Sequence, residues 1–317
     1  MFVLHRARIK KTVLISLVLL CSLVVFGNYY SSSNISSKRA REEDKCLEYF
    51  TNLERRSKNW SNDFYEKRWW DYLALGRREG DDVIENISRL RKFRECISEN
   101  SGSNIPNLRD IETRLFPYLN FDGLSSDEEN FWPVRTRWNG DVYRASTPRF
   151  SSKDDTYLDS LGIAYNKNIS FWENWLQKVM QSGSRGIVLS IGQFQTTDTV
   201  RLIRVLRFLK NNLPIEVVHK GDLSPHHQTL LISAAREALS DEYPGQELWF
   251  LDVTNMLSPR YSAKFTRYSN KWLALLFCSF EQPILLDADT VPFTTFGRYY
   301  QSERFKNSGT FFLRTEN

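Results

Sequence analysis

The hydrophobic rhythm of the chain changes three times. Residues 12–26, TVLISLVLLCSLVVF, carry no charge, and residues 27–30 extend the run towards the roughly 20 residues that cross a bilayer. Between Cys46 and Glu99 apolar residues recur at helical spacing, with charged residues between them: Leu47, Phe50 and Leu53, then Val83, Ile87, Leu90 and Phe93. That spacing predicts packed amphipathic helices. After Trp172 short β-branched runs alternate with helical ones. GIVLSIG (186–192), IEVVHKG (215–221), ELWFLDVT (247–254) and residues 284–286 read as strands. Residues 198–210, a run from Ser224-Pro225 to about Leu239, and 268–280 read as helices. Strands without a polar alternate face, each separated from the next by a helix, predict an α/β fold with a parallel sheet covered on both sides.

The intervening stretches are more polar. Residues 31–45 are rich in Ser and charge, the composition of a stem holding a domain off a membrane. Residues 100–155 are rich in Pro, Asn, Ser and Asp and read as a connection. The aromatic group Trp60, Phe64, Trp69, Trp70 and Tyr72 reads as core before it reads as a sugar platform. The expected organisation is a cytosolic tail (1–11), a membrane anchor (12–30), a stem (31–45), a helical and irregular pre-catalytic region (46–155) and a catalytic region (156–317).

Charge orients this layout. Arg6, Arg8, Lys10 and Lys11 precede the apolar run, so the positive-inside rule places the N-terminus in the cytosol and the rest in the lumen, as a single-pass type II protein. A cleaved signal peptide shares this description; the lack of a small-x-small site directly after the apolar core favours the anchor. Four sequons, at Asn34, Asn59, Asn86 and Asn168, all fall on the luminal side. Cys21 lies in the apolar run, leaving Cys46, Cys96 and Cys278 in an oxidising compartment. Cys278 sits in the apolar run WLALLFCSF, so Cys46 with Cys96 is the expected bridge. With 41% hydrophobic and 26% charged residues the chain is globular, and a net charge of +5 drawn partly from the N-terminal cluster gives no reason to expect a nucleic-acid partner.

The candidate chemistry lies at Asp287 and Asp289. In α/β sheets ligands bind beyond the carboxyl ends of strands, and this D-x-D follows the apolar run ILL, read as a buried strand. Two carboxylates there can hold a hard cation that neutralises diphosphate oxygens. Solvated turn carboxylates are the competing reading. His219 reads as a packing or hydrogen-bonding residue, and the neighbours His226 and His227 point in different directions on a helix, so neither suggests zinc. The chain contains no G-x-S-x-G, P-loop or dinucleotide fingerprint.

Taken together, GIVLSIG, TVRLIRVLRFLKNNLPIEVVHKGDLS, RYSNKWLALLFCSFEQPILLDADTVPF and SGTFFLRTEN resemble consecutive motifs of the fungal Golgi α-1,3-mannosyltransferase family, and RLFPYLNFDG and FWPVRTRWNGDVYRAS resemble its pre-catalytic region. The resemblance implies a GT-A catalytic fold, GDP-mannose as donor, a manganese-type metal on Asp287 and Asp289, and retaining transfer of mannose to mannose-containing N- or O-linked glycans at the Golgi membrane. It also implies that Lys271, sixteen residues before Asp287, faces the donor diphosphate, with Arg267 a second candidate, and that the nucleotide approaches the backbone at Ser190 and Gly192. Only 28 residues follow Asp289, and the segment that in this family builds the acceptor half is expected to be missing. Two other classes are weighed against the transferase. One is a catalytically silent Golgi protein that binds partners or glycans; the other, a metal-dependent phosphohydrolase, would need more ligands near the motif.

Overall fold

The structure, a computed structural model, describes residues 45–46, 48–63, 79–100, 107–126, 128–150, 157–178, 181–238, 240, 242–266 and 269–309. The expected anchor over 12–30, residues 31–44 of the stem, Asn34, Arg267 and the chain beyond Gly309 lie outside the described residues. Among the described residues no helix is long and apolar enough to cross a membrane. The chain divides into two units: residues 1–60 with 77–111, and residues 61–76 with 112–317.

In the first unit a helical stretch over 48–56 and the long helix Glu79–Asn100 are joined by a disulfide between Cys46 and Cys96. The long helix turns a different face inward from the one its aliphatic residues predict. Val83 and Ile87 are exposed, whereas Asp82, Asn86, Arg89, Phe93 and Cys96 form the buried stripe. Spacings of three and four residues put these five on one side. The stripe is set by the disulfide at Cys96 and by Arg89, whose guanidinium lies 5.6 Å from the Trp60 ring centroid and bonds Glu85 and Asn86. Asn86, one of the four sequon asparagines, is 6% exposed, and its Oδ1 accepts from Arg89 Nη1 at 3.1 Å. Asn59, also in this unit, and Asn168 in the second unit are exposed.

The second unit is α/β. Its strands are β1 (Val134–Arg137), β2 (Val142–Tyr143), β3 (Ser146–Phe150), β4 (Tyr157–Gly162), β5 (Gln181–Ser190), β6 (Ile215–His219), β7 (Leu248–Asp252) and β8 (Phe280–Leu286). Six of them form one sheet in the order β2-β1-β7-β6-β5-β8. The four strands β7-β6-β5-β8 are parallel, while β1 runs antiparallel to β7 and β2 to β1. The sheet is thus mixed rather than wholly parallel, and the stretch read as a connection supplies two of its strands. One face packs Ile187, Leu189, Ile215, Val217, Leu248 and Phe250 against the helices Thr196–Phe208 and Pro225–Arg236. The helix Ser269–Phe277 packs against β5, β6 and β8, and its Phe277 meets Trp172 and Trp175 of the helix Phe171–Lys178.

Among the described residues β8 is an edge strand, half-buried from Gln282 to Leu285, not the buried strand that its apolar end predicts. Its Pro283 fits such a position, because an edge strand tolerates a missing donor. The β5–β8 seam also depends on Gly186: a Cβ there would meet the Phe280 ring at 2.2 Å.

A buried polar network ties β1, β6 and the start of β8 together. Arg135 is fully buried and donates through Nε to Ser279 Oγ and through Nη1 to the Ser146 carbonyl, both at 3.0 Å. Glu216 accepts from the N–H and the hydroxyl of Ser279, each at 2.8 Å, and its Oε1 lies 3.9 Å from Arg135 Nε. Burial pushes the Glu216 carboxyl up, and Arg135 opposes that shift. Beside them Cys278 remains a buried thiol, its pKa raised to about 12, first by burial and then by Glu216.

Candidate functional site

Chain order sets the place of the site. β5 lies between β6, which follows it directly, and β8, which returns to its other side, so the winding reverses between β5 and β8. A crevice opens at the carboxyl ends of two strands where winding reverses, and ligands of open α/β sheets bind there. The register pairs Leu189 with Leu286, so the chain leaves the sheet at Ser190 and Asp287 as neighbours.

The D-x-D forms a turn. Thr290 N–H donates to the Asp287 carbonyl at 3.0 Å. Ala288 is 6% exposed and belongs to the core cluster that includes Leu286, Phe296 and Tyr300, whereas Asp287 and Asp289 on either side are exposed. A buried methyl between two exposed carboxylates holds the backbone while leaving both acids free to turn to one ligand. Lys271 joins them from the neighbouring helix: its Nζ lies 2.5 Å from Asp287 Oδ1, with side-chain exposures of 29% and 50%. Leu273, Ala274 and Phe277 bury the inner face of that helix and fix its position.

Among the described residues no group of three or more His, Cys, Asp or Glu could hold a metal. A closed structural site is thereby excluded for the described residues, but the donor set fits a different kind of metal site. Magnesium-like hard cations are commonly held by one or two carboxylates, with substrate phosphates and water completing the shell. Two exposed carboxylates at a ligand crevice match that chemistry.

Ser190 and Gly192 fall on the same end of the sheet. Ser190 lines a small pocket with Ile191, Val218, His219, Lys220 and Asn270, and the buried Oδ1 of Asn270 has no hydrogen-bond partner there. Gly192 starts a loop in which its N–H donates to Gln195 Oε1 and the Gln193 N–H donates to the Asp222 carbonyl, each at 3.1 Å. With Phe194, Gly221, Asp222 and Ser224 this loop lines a wider, open pocket. Gly221 has φ of +82°, a conformation that favours glycine, and Asp222 Oδ1 accepts the Lys220 N–H. His219 is 7% exposed, and burial holds its pKa below the ordinary histidine value against the raising influence of Asp252 and Asp222. Its Nδ1 accepts from the Gly221 N–H at 3.2 Å, which is a hydrogen-bonding role rather than a ligand's.

The sequence reading did not single out Asp222, Phe194 or Asn270. Phe194 is 93% exposed. A large aromatic two residues after Gly192, the end of the run GIVLSIG, was the available signal for it. Asn270 and the Lys271 contact gave none, since both depend on how a helix lies over the strand ends.

Comparison with known proteins finds a family model and several relatives. Residues 184–316 match the family model Mannosyl_trans3, described as "Mannosyltransferase putative". The chain is 48% identical over 269 residues to "Alpha-1,3-mannosyltransferase MNT2" of Saccharomyces cerevisiae, covering 85% of this chain and 47% of that protein. It is 42% identical to "Probable alpha-1,3-mannosyltransferase MNT4" of the same yeast, covering 98% of this chain and 56% of the relative. A third relative, "Alpha-1,3-mannosyltransferase MNN1" of S. cerevisiae, is 30% identical over 65% of the chain. The chain thus spans about half the length of these first two curated relatives.

Proposed function

The chain belongs to the fungal α-1,3-mannosyltransferase family, and from that premise we propose that it carries the donor-binding half of a mannosyl transfer site. The reaction we propose is transfer of mannose from GDP-mannose, in α-1,3 linkage and with retention, to mannose-containing glycans of secretory proteins. The catalytic unit would be of GT-A type, held at the Golgi membrane as a type II protein by residues 12–30.

The single observation that carries this reading is the pair of exposed carboxylates, Asp287 and Asp289, at the carboxyl end of β8, where the winding reverses. A divalent cation bound there supplies Lewis-acid stabilisation of the departing diphosphate. Asp287 and Asp289 would hold that cation, and Ala288 fixes their backbone in the core. Lys271 offers the phosphates a point charge. The loop 192–194 and the segment 221–224 shape an open pocket on the same end of the sheet, where Phe194 presents a bare aromatic face and Asp222 a carboxylate to a nucleoside.

The experiment is calorimetric titration of the purified chain with GDP-mannose, with and without manganese, alongside a transfer assay on mannose-capped acceptors. Asp287→Asn and Asp289→Asn are each expected to abolish manganese-dependent donor binding while leaving the unfolding transition in place. Unchanged donor affinity in both variants would sink the reading.

A further inference from the structure

The small pocket at the ends of β5 and β6 is lined by polar side chains that the fold itself leaves unmatched. Asn270 reaches it from the first turn of the helix Ser269–Phe277, His219 from the end of β6 and Ser190 from the end of β5. Asn270 Oδ1 is buried and accepts no hydrogen bond among the described residues. A buried acceptor left unmatched is costly, and such groups in folded proteins answer to a ligand or a bound water. His219 supplies the complementary group. Its Nδ1 accepts the Gly221 N–H at 3.2 Å, which puts the proton of the neutral ring on Nε2, and none of the described residues accepts from that Nε2–H. Ile191, Val218, Val253 and Leu273 make much of the remaining wall, around a space of about 10 Å³. A space of that size takes one oxygen atom and no ring. A donor and an acceptor beside it are the partners of a hydroxyl group, which accepts one hydrogen bond and donates another.

Position decides whose hydroxyl this is. β5 lies between β6 and β8, so a ligand running from the open pocket at 192–194 and 221–224 to Asp287 and Asp289 crosses the end of β5 at Ser190. In a nucleoside diphosphate the part between base and phosphates is the ribose, and the ribose carries the hydroxyls. We propose that His219 and Asn270 form a subsite for one ribose hydroxyl of the bound nucleotide, His219 Nε2 donating to its oxygen and Asn270 Oδ1 accepting its proton. The inference rests on the reading of the crevice as a nucleotide-sugar site and adds to it recognition of the nucleotide's sugar, apart from base and phosphates. A nucleotide that lacks the hydroxyl leaves both side chains to a water in its place.

The test is calorimetric titration of the full chain, with manganese present, by GDP, 2′-deoxy-GDP and 3′-deoxy-GDP. One of the two deoxy nucleotides should bind roughly tenfold more weakly than GDP, the loss of one hydroxyl's neutral hydrogen bonds. Asn270→Ala should weaken GDP by a similar factor and leave the affinity for that deoxy nucleotide unchanged, because the hydroxyl and its acceptor are then both gone. A merely structural role for Asn270 would weaken all three nucleotides alike. Thermal unfolding of the variant checks its fold, and the comparison of nucleotides on the unmodified chain needs no variant. If GDP binds and neither deoxy nucleotide is weaker, or if the penalty for the missing hydroxyl persists undiminished in Asn270→Ala, the subsite is overturned and the nucleotide reading stands. If GDP does not bind, the nucleotide reading falls and the subsite falls with it.

Discussion

Replacing Arg135 with Met tests whether the buried network of the second unit is held together by charge. The side chain is fully buried, and its removal leaves Glu216, only 1% exposed, facing the two Ser279 donors without a cation. Breaking a buried pair by deleting one partner typically costs about 3–5 kcal/mol, because the survivor's charge loses its compensation. That is a large share of the roughly 5–15 kcal/mol that stabilises a domain. Changing both sides, Arg135→Met with Glu216→Leu, removes the orphaned charge and leaves only neutral Ser279 groups, the N–H and the hydroxyl, without these partners, at about 1–3 kcal/mol for a group that stays unmatched. The double variant should therefore be more stable than either single one. The sign of the pH dependence follows from the same picture. In Arg135→Met the Glu216 carboxyl, already pushed up by burial, loses the group that pulled it down, so the folded state holds a proton that the unfolded state releases. Stability should then be greatest in acid and fall as pH rises above the unfolded carboxylate range, more steeply than in the unmodified chain. Urea denaturation at pH 5 and pH 8 reads both effects. Single and double changes with simply additive costs, or a single variant losing less than about 1 kcal/mol, would refute the reasoning.

Three further outcomes are expected. Removing the Cys46–Cys96 bridge with Ala at both positions should destabilise the first unit by about 4 kcal/mol on the loop-entropy relation for a separation of 50, read as faster proteolysis between residues 48 and 100. Mass spectrometry of tryptic glycopeptides should find glycan on Asn59 and Asn168 and none on Asn86; full occupancy at Asn86 would contradict the buried stripe. His219 is held neutral by burial, so its share of stability is present above its ordinary value of 6.5 and is lost as pH falls below it. His219→Asn should flatten the loss of stability between pH 7 and pH 5, by at most about 1.4 kcal/mol per pH unit, in pH-resolved denaturation.

The parallel strands and their helices were legible because each is a short, nearly uniform apolar run whose burial leaves no other reading. β6 and β7 sit where IEVVH and ELWFLD predicted them, and the Pro225–Arg236 helix starts at its Ser-Pro signal. Elements with polar sequences escaped. VRTR became β1 because Arg135 finds, besides the nearby Ser146, Ser279 and Glu216, partners far away along the chain. The first half of β8, FEQP, is polar because it lies on an edge, so only its apolar end was visible. On the long helix the aliphatic stripe gave the wrong face, since a disulfide and an arginine over Trp60 outweigh Val83 and Ile87. The carboxylate pair was readable from its place after a strand. The lysine on it was not, because sixteen residues of separation say nothing about a contact between a helix side chain and a strand end.

The pairing of β5 with β8 also has a meaning in time. β5, β6 and β7 follow one another along the chain, but β8 must come back across them: Arg185 of β5 meets Gln282 of β8 across a separation of 97 residues. Contacts this distant, like the pairing of β1 with β7, carry a large loop-closure cost and form late. Asp287 and Asp289 hang from the end of that strand, so during synthesis from the N-terminus β1 to β7 emerge before the acids exist to face the crevice. Any condition that slows the docking of β8 would therefore delay the placing of Asp287 and Asp289 at the crevice while leaving β5, β6 and β7 paired.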